Sequence, residues 1–251
     1  MSLFSMSYKI KSFGLSDIGL TRETNEDAYV ISDLNRVYIL ADGMGGHLAG
    51  EVAAKEAVDA FHRSIDSKHL APLPKDEIVK EITCAIDAAN RHVYKMSLSS
   101  ASLRGMGTTL CSLLFSQEDL FVAHVGDSRV YRLRSGELEQ LTEDHSLQRE
   151  MLEYANFASE QIDELKYKSI ITKAIGTQDH VIPSIKRIDF ETGDWFLLCS
   201  DGLSDYLSHC EMEEILNRSI ALDHCACGLI EAAKAKGGQD NITVILLQIE
   251  E

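Results

Sequence analysis

The chain has 251 residues, 45% hydrophobic and 25% charged with only three prolines, an ordinary globular composition without an obvious linker, so one domain over 1–251 is expected. Its 24 basic and 40 acidic residues give a net charge of −16, which repels nucleic acid and anionic membranes and argues against both as partners. No apolar run reaches the roughly 18 residues of a membrane span.

Lys9, Lys11 and Asp17 interrupt any apolar run near the N-terminus, so no export signal is expected. Six cysteines at irregular spacing then read as reduced thiols of a cytoplasmic protein. The run His224-Cys225-Ala226-Cys227 superficially resembles a metal cluster. However, Leu222, Cys225, Ala226, Leu229 and Ala233 follow helical spacing, which makes Cys225 a small core residue.

Strands are expected at Tyr8 to Phe13, Asp27 to Ile31 and Arg36 to Ala41, the third nearly all apolar and ending at Asp42. Gly45-Gly46 opens a helix through Ala49, Val52, Ala53, Ala57 and Ala60. A second helix carries its apolar stripe on Ile78, Ile82, Ala85, Ile86, Ala89, Val93 and Met96. Strands follow at Thr108 to Phe115, Leu120 to Val125, Val130 to Leu133 and Leu138 to Leu141. Gly126-Asp127-Ser128 and Arg134-Ser135-Gly136 supply hairpin-turn chemistry between them. A polar, acidic excursion from about Ser146 to Ile170 reads as helical pieces. Strands at Val181 to Ile188 and Trp195 to Cys199, helices near Glu211 to Ser219 and Leu222 to Lys236, and a strand from Ile242 to Ile249 complete the chain. Two strand groups separated by helix pairs, without βαβ alternation, argue for two packed antiparallel sheets rather than a doubly wound parallel one.

Four aspartate-bearing motifs span this framework: Arg22-Glu23-Thr24-Asn25-Glu26-Asp27, Ala41-Asp42-Gly43-Met44-Gly45-Gly46-His47, Ser200-Asp201-Gly202 and Gly238-Gln239-Asp240-Asn241. A strand end holds a carboxylate rigidly, and the turn beyond it leaves room for an ion. Convergent carboxylates repel one another unless a hard divalent cation joins them. Each motif alone also reads as turn chemistry or a solvated charge. Asp127, between Gly126 and Ser128, would serve as a turn without any metal.

With GMGTT (Gly105 to Thr109), VGDSR (Val125 to Arg129), TEDHS (Thr142 to Ser146), ITKAIG (Ile171 to Gly176), LLCSDGLSD (Leu197 to Asp205) and GGQDNIT (Gly237 to Thr243), the ordered set covers nearly the whole chain. It resembles bacterial members of the metal-dependent protein serine/threonine phosphatases, the protein phosphatase 2C (PPM) family. The resemblance implies an α+β fold, an αββα sandwich of two antiparallel sheets flanked by helix pairs. It implies two Mn or Mg ions, with a third bound more weakly, and water as the nucleophile on phosphoserine or phosphothreonine of proteins. Asp42 and Asp201 match the central metal ligands, Asp42 bridging; Asp240 matches a ligand of the first ion and the Gly43 carbonyl one of the second. Glu26 and Asp27 match the pair supporting the second ion, Asp127 a ligand of the third, and Arg22 the phosphate-binding arginine. Met44 stands where many eukaryotic relatives carry a histidine, leaving His47 or a metal-bound water as proton donor. The excursion at 146–170 falls where the family has its flap, with Tyr154, Phe157 and Tyr167 as candidate substrate contacts.

The expected partner is a phosphorylated protein, the substrate of a cognate kinase, met by a monomeric enzyme. A regulator dedicated to one partner and a binding-only relative are rival readings. A serine hydrolase built on Gly126-Asp127-Ser128 lacks a downstream Asp-x-x-His and a G-x-S-x-G elbow. His124 reads as a satisfied core residue, and His145 as an anchor at the base of the excursion.

Overall fold

The computed structural model describes residues 8–44, 49–68, 70, 73–116, 119–155, 170–218 and 221–251, apart from the side chains of 152–155. In chain order its strands are β1 (Lys9–Asp17), β2 (Asp27–Ser32), β3 (Val37–Met44), β4 (Gly107–Thr108), β5 (Leu110–Ser116), β6 (Asp119–Val125), β7 (Arg129–Arg134), β8 (Glu137–Gln140), β9 (Ser184–Ile188), β10 (Trp195–Cys199) and β11 (Ile242–Glu250). The helices are α1 (Ala49–Asp66), α2 (Lys75–Ser99), α3 (Leu147–Ala155), α4 (Asp201–Ser204), α5 (His209–Arg218) and α6 (Leu222–Ala235).

One sheet runs β1-β11-β10-β7-β8 and the other β2-β3-β5-β6-β9, with β4 paired to β3. Every pairing is antiparallel. The central strands are apolar on both faces because both faces are covered. In β3, Val37, Ile39 and Ala41 face α1 and α2, while Tyr38 and Leu40 enter the layer between the sheets. In β11, Val244 and Leu246 face α5 and α6, and Ile245, Leu247 and Ile249 face the same middle layer. Three cores thus separate four layers, which is an αββα sandwich. Small residues Ala53, Ala54 and Ala57, all fully buried, let α1 settle closely on the sheet. Each large apolar side chain in these cores contributes about 2 kcal/mol of burial.

The second expected turn forms a two-residue hairpin. Arg134 pairs with Glu137, and Ser135 and Gly136 both take positive φ, 54° and 87°, the backbone this turn requires. The first does not form a hairpin. β6 pairs with β5 and β9, whereas β7 pairs with β10 and β8, so Gly126-Asp127-Ser128 carries the chain from one sheet to the other. Gly-Asp-Ser suits both kinds of turn, and partner choice is set by strands distant in sequence. Asp127 is thereby placed at the junction of the two sheets. The strand expected from Val181 begins at Ser184, and α4 is a short helix that periodicity did not reveal.

Candidate metal centre

The strand ends deliver their carboxylates to one end of the sandwich. Asp27 and Asp42 sit directly opposite each other in the β2–β3 register. Asp201 begins α4 immediately after β10, Asp240 lies two residues before β11, and Asp127 sits in the sheet-to-sheet crossing. Gly43 follows Asp42 within β3. His47 lies outside the described residues, as do Phe157, Tyr167 and the side chain of Tyr154; Met44 ends β3.

A lattice of hydrogen bonds fixes these positions. Thr108 and Thr109 grip Asp42: the Asp42 N–H donates to Thr109 Oγ1 at 2.9 Å, and the Asp42 carbonyl accepts from Thr108 Oγ1 at 2.8 Å. Thr109 Oγ1 also meets Ser128 Oγ at 2.6 Å. Asn241 spends its whole amide on the 18–26 loop, donating to the carbonyls of Ile18 and Thr24 and accepting from the Glu26 N–H at 2.8 Å. Ser200 Oγ donates to Asp27 Oδ2 at 2.8 Å and accepts the Thr243 N–H at 3.0 Å. Sequence reasoning assigned no role to these Ser, Thr and Asn residues, although each lies inside or beside a quoted motif.

Close backbone approach explains Gly43. A Cβ there would fall on the carbonyl oxygen of Gly50 in the first turn of α1 and 2.6 Å from the Glu26 carbonyl. Both neighbours are backbone and neither swings aside. Gly43→Ala is expected to cost about 2 kcal/mol of stability and to lower activity without changing any charge. Urea denaturation and a phosphopeptide assay check both.

The electrostatics are those of crowded like charges in a buried place. Burial raises Asp42 well above the usual carboxylate range, and the charges of Asp201, Asp27, Asp127 and Asp240 push it further. Burial likewise carries Asp27 to about 7, opposed by hydrogen bonds from Thr243 and Ser200 and helped by Asp201 and Asp240. Asp127 rises to about 7 through burial and the charges of Asp201 and Asp144. Asp201 reaches about 6, raised by burial, Asp240 and Asp205 and eased by a hydrogen bond from Asp42 and by Arg22. Arg22 Nη2 donates to Asp240 Oδ2 at 2.8 Å in an ion pair roughly half exposed on the arginine side.

Among the described residues no three acidic, histidine or cysteine side chains converge on a single ion-sized point; Asp240 turns to Arg22 and Asp27 to Ser200. The donor set nevertheless fits hard divalent cations. It consists of carboxylate oxygens and one backbone carbonyl, carries mutual repulsion that a cation relieves, and contains no thiolate or imidazole.

Comparison with known proteins agrees. A family model described as protein phosphatase 2C matches residues 21–234. The chain belongs to the protein phosphatase 2C family. It is accordingly a protein phosphatase, a hydrolase of phosphoric monoesters. It is 38% identical over 240 residues to the serine/threonine phosphatase stp of Listeria monocytogenes serotype 4b (strain F2365), covering 93% of each chain. The Streptococcus agalactiae serine/threonine phosphatase superposes with a TM-score of 0.88 at 34% identity, over 96% of this chain and 100% of that one. The catalytic domain of the serine/threonine phosphatase PstP, solved with two manganese ions, gives 0.84 at 33% identity over 98% of this chain and 100% of that one. This member of the protein phosphatase 2C family shares their fold.

Proposed function

We propose that the chain removes phosphate from serine and threonine of proteins with the help of two Mn or Mg ions, reversing a serine/threonine kinase. The observation that carries the reading is the meeting of Asp27, Asp42, Asp127 and Asp201 at one buried end of the sandwich, each with its acidity weakened by burial and by its neighbours. Asp42, Asp201 and Asp240 would hold the first ion; Asp42, the Gly43 carbonyl and, directly or through water, Asp27 would hold the second; Asp127 and Asp201 would hold a weaker third. Bound there, the ions acidify a water and offset the charge of the phosphate.

The protein groups then have defined tasks. Ser200, Thr109 and Asn241 keep the carboxylates and their backbone in place, so that little reorganisation accompanies reaction. Arg22 supplies a planar fork for the phosphate oxygens that do not react. Its pair with Asp240 is exposed, and such pairs are worth about 0–1 kcal/mol, so the guanidinium turns to substrate at little expense. His47, three residues beyond Met44, is the candidate proton donor to the leaving oxygen. The 146–170 segment is the candidate determinant of protein substrate.

The acidic surface, −16 overall, favours neither nucleic acid nor anionic membrane as partner, and no helix among the described residues is long and apolar enough to cross a membrane. No disulfide joins the six cysteines among the described residues, which supports the reading of a reducing, cytoplasmic setting; the enzyme is read as a monomeric single domain. Arg22→Ala is the test of substrate holding. It should raise KM for a phosphothreonine peptide about tenfold or more, with a smaller change in kcat. An unchanged KM would remove Arg22 from the phosphate site.

A further inference from the structure

Asp127 is the one carboxylate of the centre carried on a crossing between sheets instead of a strand end. Its position therefore depends on what holds the crossing. The residue before it, Gly126, adopts φ of +103°, and both of its backbone polar groups are engaged by a single residue. The Gly126 N–H donates to His145 Nδ1 at 3.1 Å, and the Gly126 carbonyl accepts the His145 N–H at 3.0 Å. A backbone N–H only donates, so Nδ1 is bare and the ring proton sits on Nε2. From there it is directed to Ser184 Oγ at 2.9 Å, on β9. The ring lies flat on His124, with centroids 4.6 Å apart and planes 14° apart. His124 in turn donates from Nε2 to the Glu143 carbonyl at 2.8 Å. The His145 carbonyl accepts the Thr172 N–H at 2.8 Å. The residue is buried, 9% exposed, and the orientation and tautomer of its ring are fixed at both nitrogens and across its face.

We propose that His145 is a positioning residue for Asp127: by receiving the Gly126 N–H on its bare Nδ1, it fixes the Val125–Gly126 peptide, one link ahead of Asp127, and so sets the path of the crossing and the metal affinity that Asp127 provides. The proposal rests on the reading of Asp127 as a metal ligand. It explains why a histidine stands here. The position needs an acceptor toward Gly126, a donor toward Ser184 one ring-width away, and a flat body for the stack. Leucine fills the space without either polar group. Asparagine keeps an acceptor where Nδ1 lies and lacks the far donor.

The test compares His145→Leu, His145→Asn and Asp127→Ala in the full chain. Mn2+ binding is measured by titration calorimetry, alongside the Mn2+ dependence of phosphopeptide turnover, with melting curves to verify folding. Outer groups that orient a ligand typically change metal affinity by 10–100-fold. His145→Leu should therefore weaken the Mn2+ step that Asp127→Ala removes by roughly tenfold, and His145→Asn should restore much of it. A purely packing role predicts the reverse order, Leu at least as good as Asn. Ser184→Ala, which only removes the tautomer-fixing partner, should shift the same step in the same direction by less, and it serves if His145→Leu does not fold. If Asp127→Ala abolishes the step while neither His145→Leu nor Ser184→Ala moves it, the positioning role is overturned. If Asp127→Ala itself leaves Mn2+ binding unchanged, the reading of Asp127 as a ligand fails instead.

Discussion

Asp42→Asn is expected to abolish turnover while making the metal-free protein more stable. Asp42 lies opposite Asp27 in the sheet register and feels four neighbouring carboxylates, Asp201 foremost. Without its charge the proposed bridge between two ions is lost, and activity should fall by on the order of 10³-fold or more, about 4 kcal/mol of barrier. The same charge opposes folding when no cation is present, because burial and repulsion both disfavour it. A neutral asparagine amide removes the repulsion and offers a donor to the neighbouring carboxylates, so urea unfolding in EDTA should show a gain on the order of 2 kcal/mol near neutral pH. In saturating Mn2+ the order should invert, since only the wild type is then stabilised by the ion. A variant less stable than wild type in EDTA would mean that Asp42 is compensated by protein groups alone.

A second large effect is the pH dependence of stability. Asp27 and Asp127 have folded values of about 7 and Asp201 about 6, against an ordinary value of 3.8. Groups raised in this way hold their protons in the folded state. Their contribution is fully present below the unfolded value and is lost as pH rises through 6 and 7. The histidines work in the opposite sense. Burial lowers His124, and burial together with His124 brings His145 down to about 3. Stability from their neutral forms is present above the unfolded value near 6.5 and is lost as pH falls below it. Metal-free protein should therefore lose on the order of 1–3 kcal/mol of stability between about pH 6 and pH 8. Saturating Mn2+ should flatten the alkaline limb. A metal-free melting temperature that rises from pH 6 to pH 8 would contradict the electrostatic account of the site.

The fold was largely legible because the central strands announce themselves. The Val37 to Ala41 stretch is apolar throughout and is buried on both faces, and the α2 stripe from Ile78 to Val93 falls on buried residues, with Met96 half-buried beyond it. Asp42, Asp127, Asp201 and Asp240 were legible because each adjoins a glycine or asparagine. What holds them was harder to read. Arg22 and Asp240 are 218 positions apart, and nothing local joins them. Thr109, Ser200 and Asn241 belong to residue types common in any turn, and their importance appears only when their partners are placed. Arg129 shows the same limit. Its bidentate bond to Asp144, at 2.6 to 3.1 Å, ties the VGDSR stretch to TEDHS, yet either residue alone reads as a surface charge. The crossing at Gly126 carries hairpin chemistry locally, while the partners that send β6 and β7 to different sheets lie far away in sequence.

The most direct test of the central claim is hydrolysis of a phosphothreonine peptide by the purified chain, after EDTA and gel filtration, with and without added Mn2+ or Mg2+. The account predicts negligible turnover in EDTA and restoration by either ion, with inorganic phosphate as product. Full turnover in EDTA, or a folded protein that binds Mn2+ and still releases no phosphate, would contradict it.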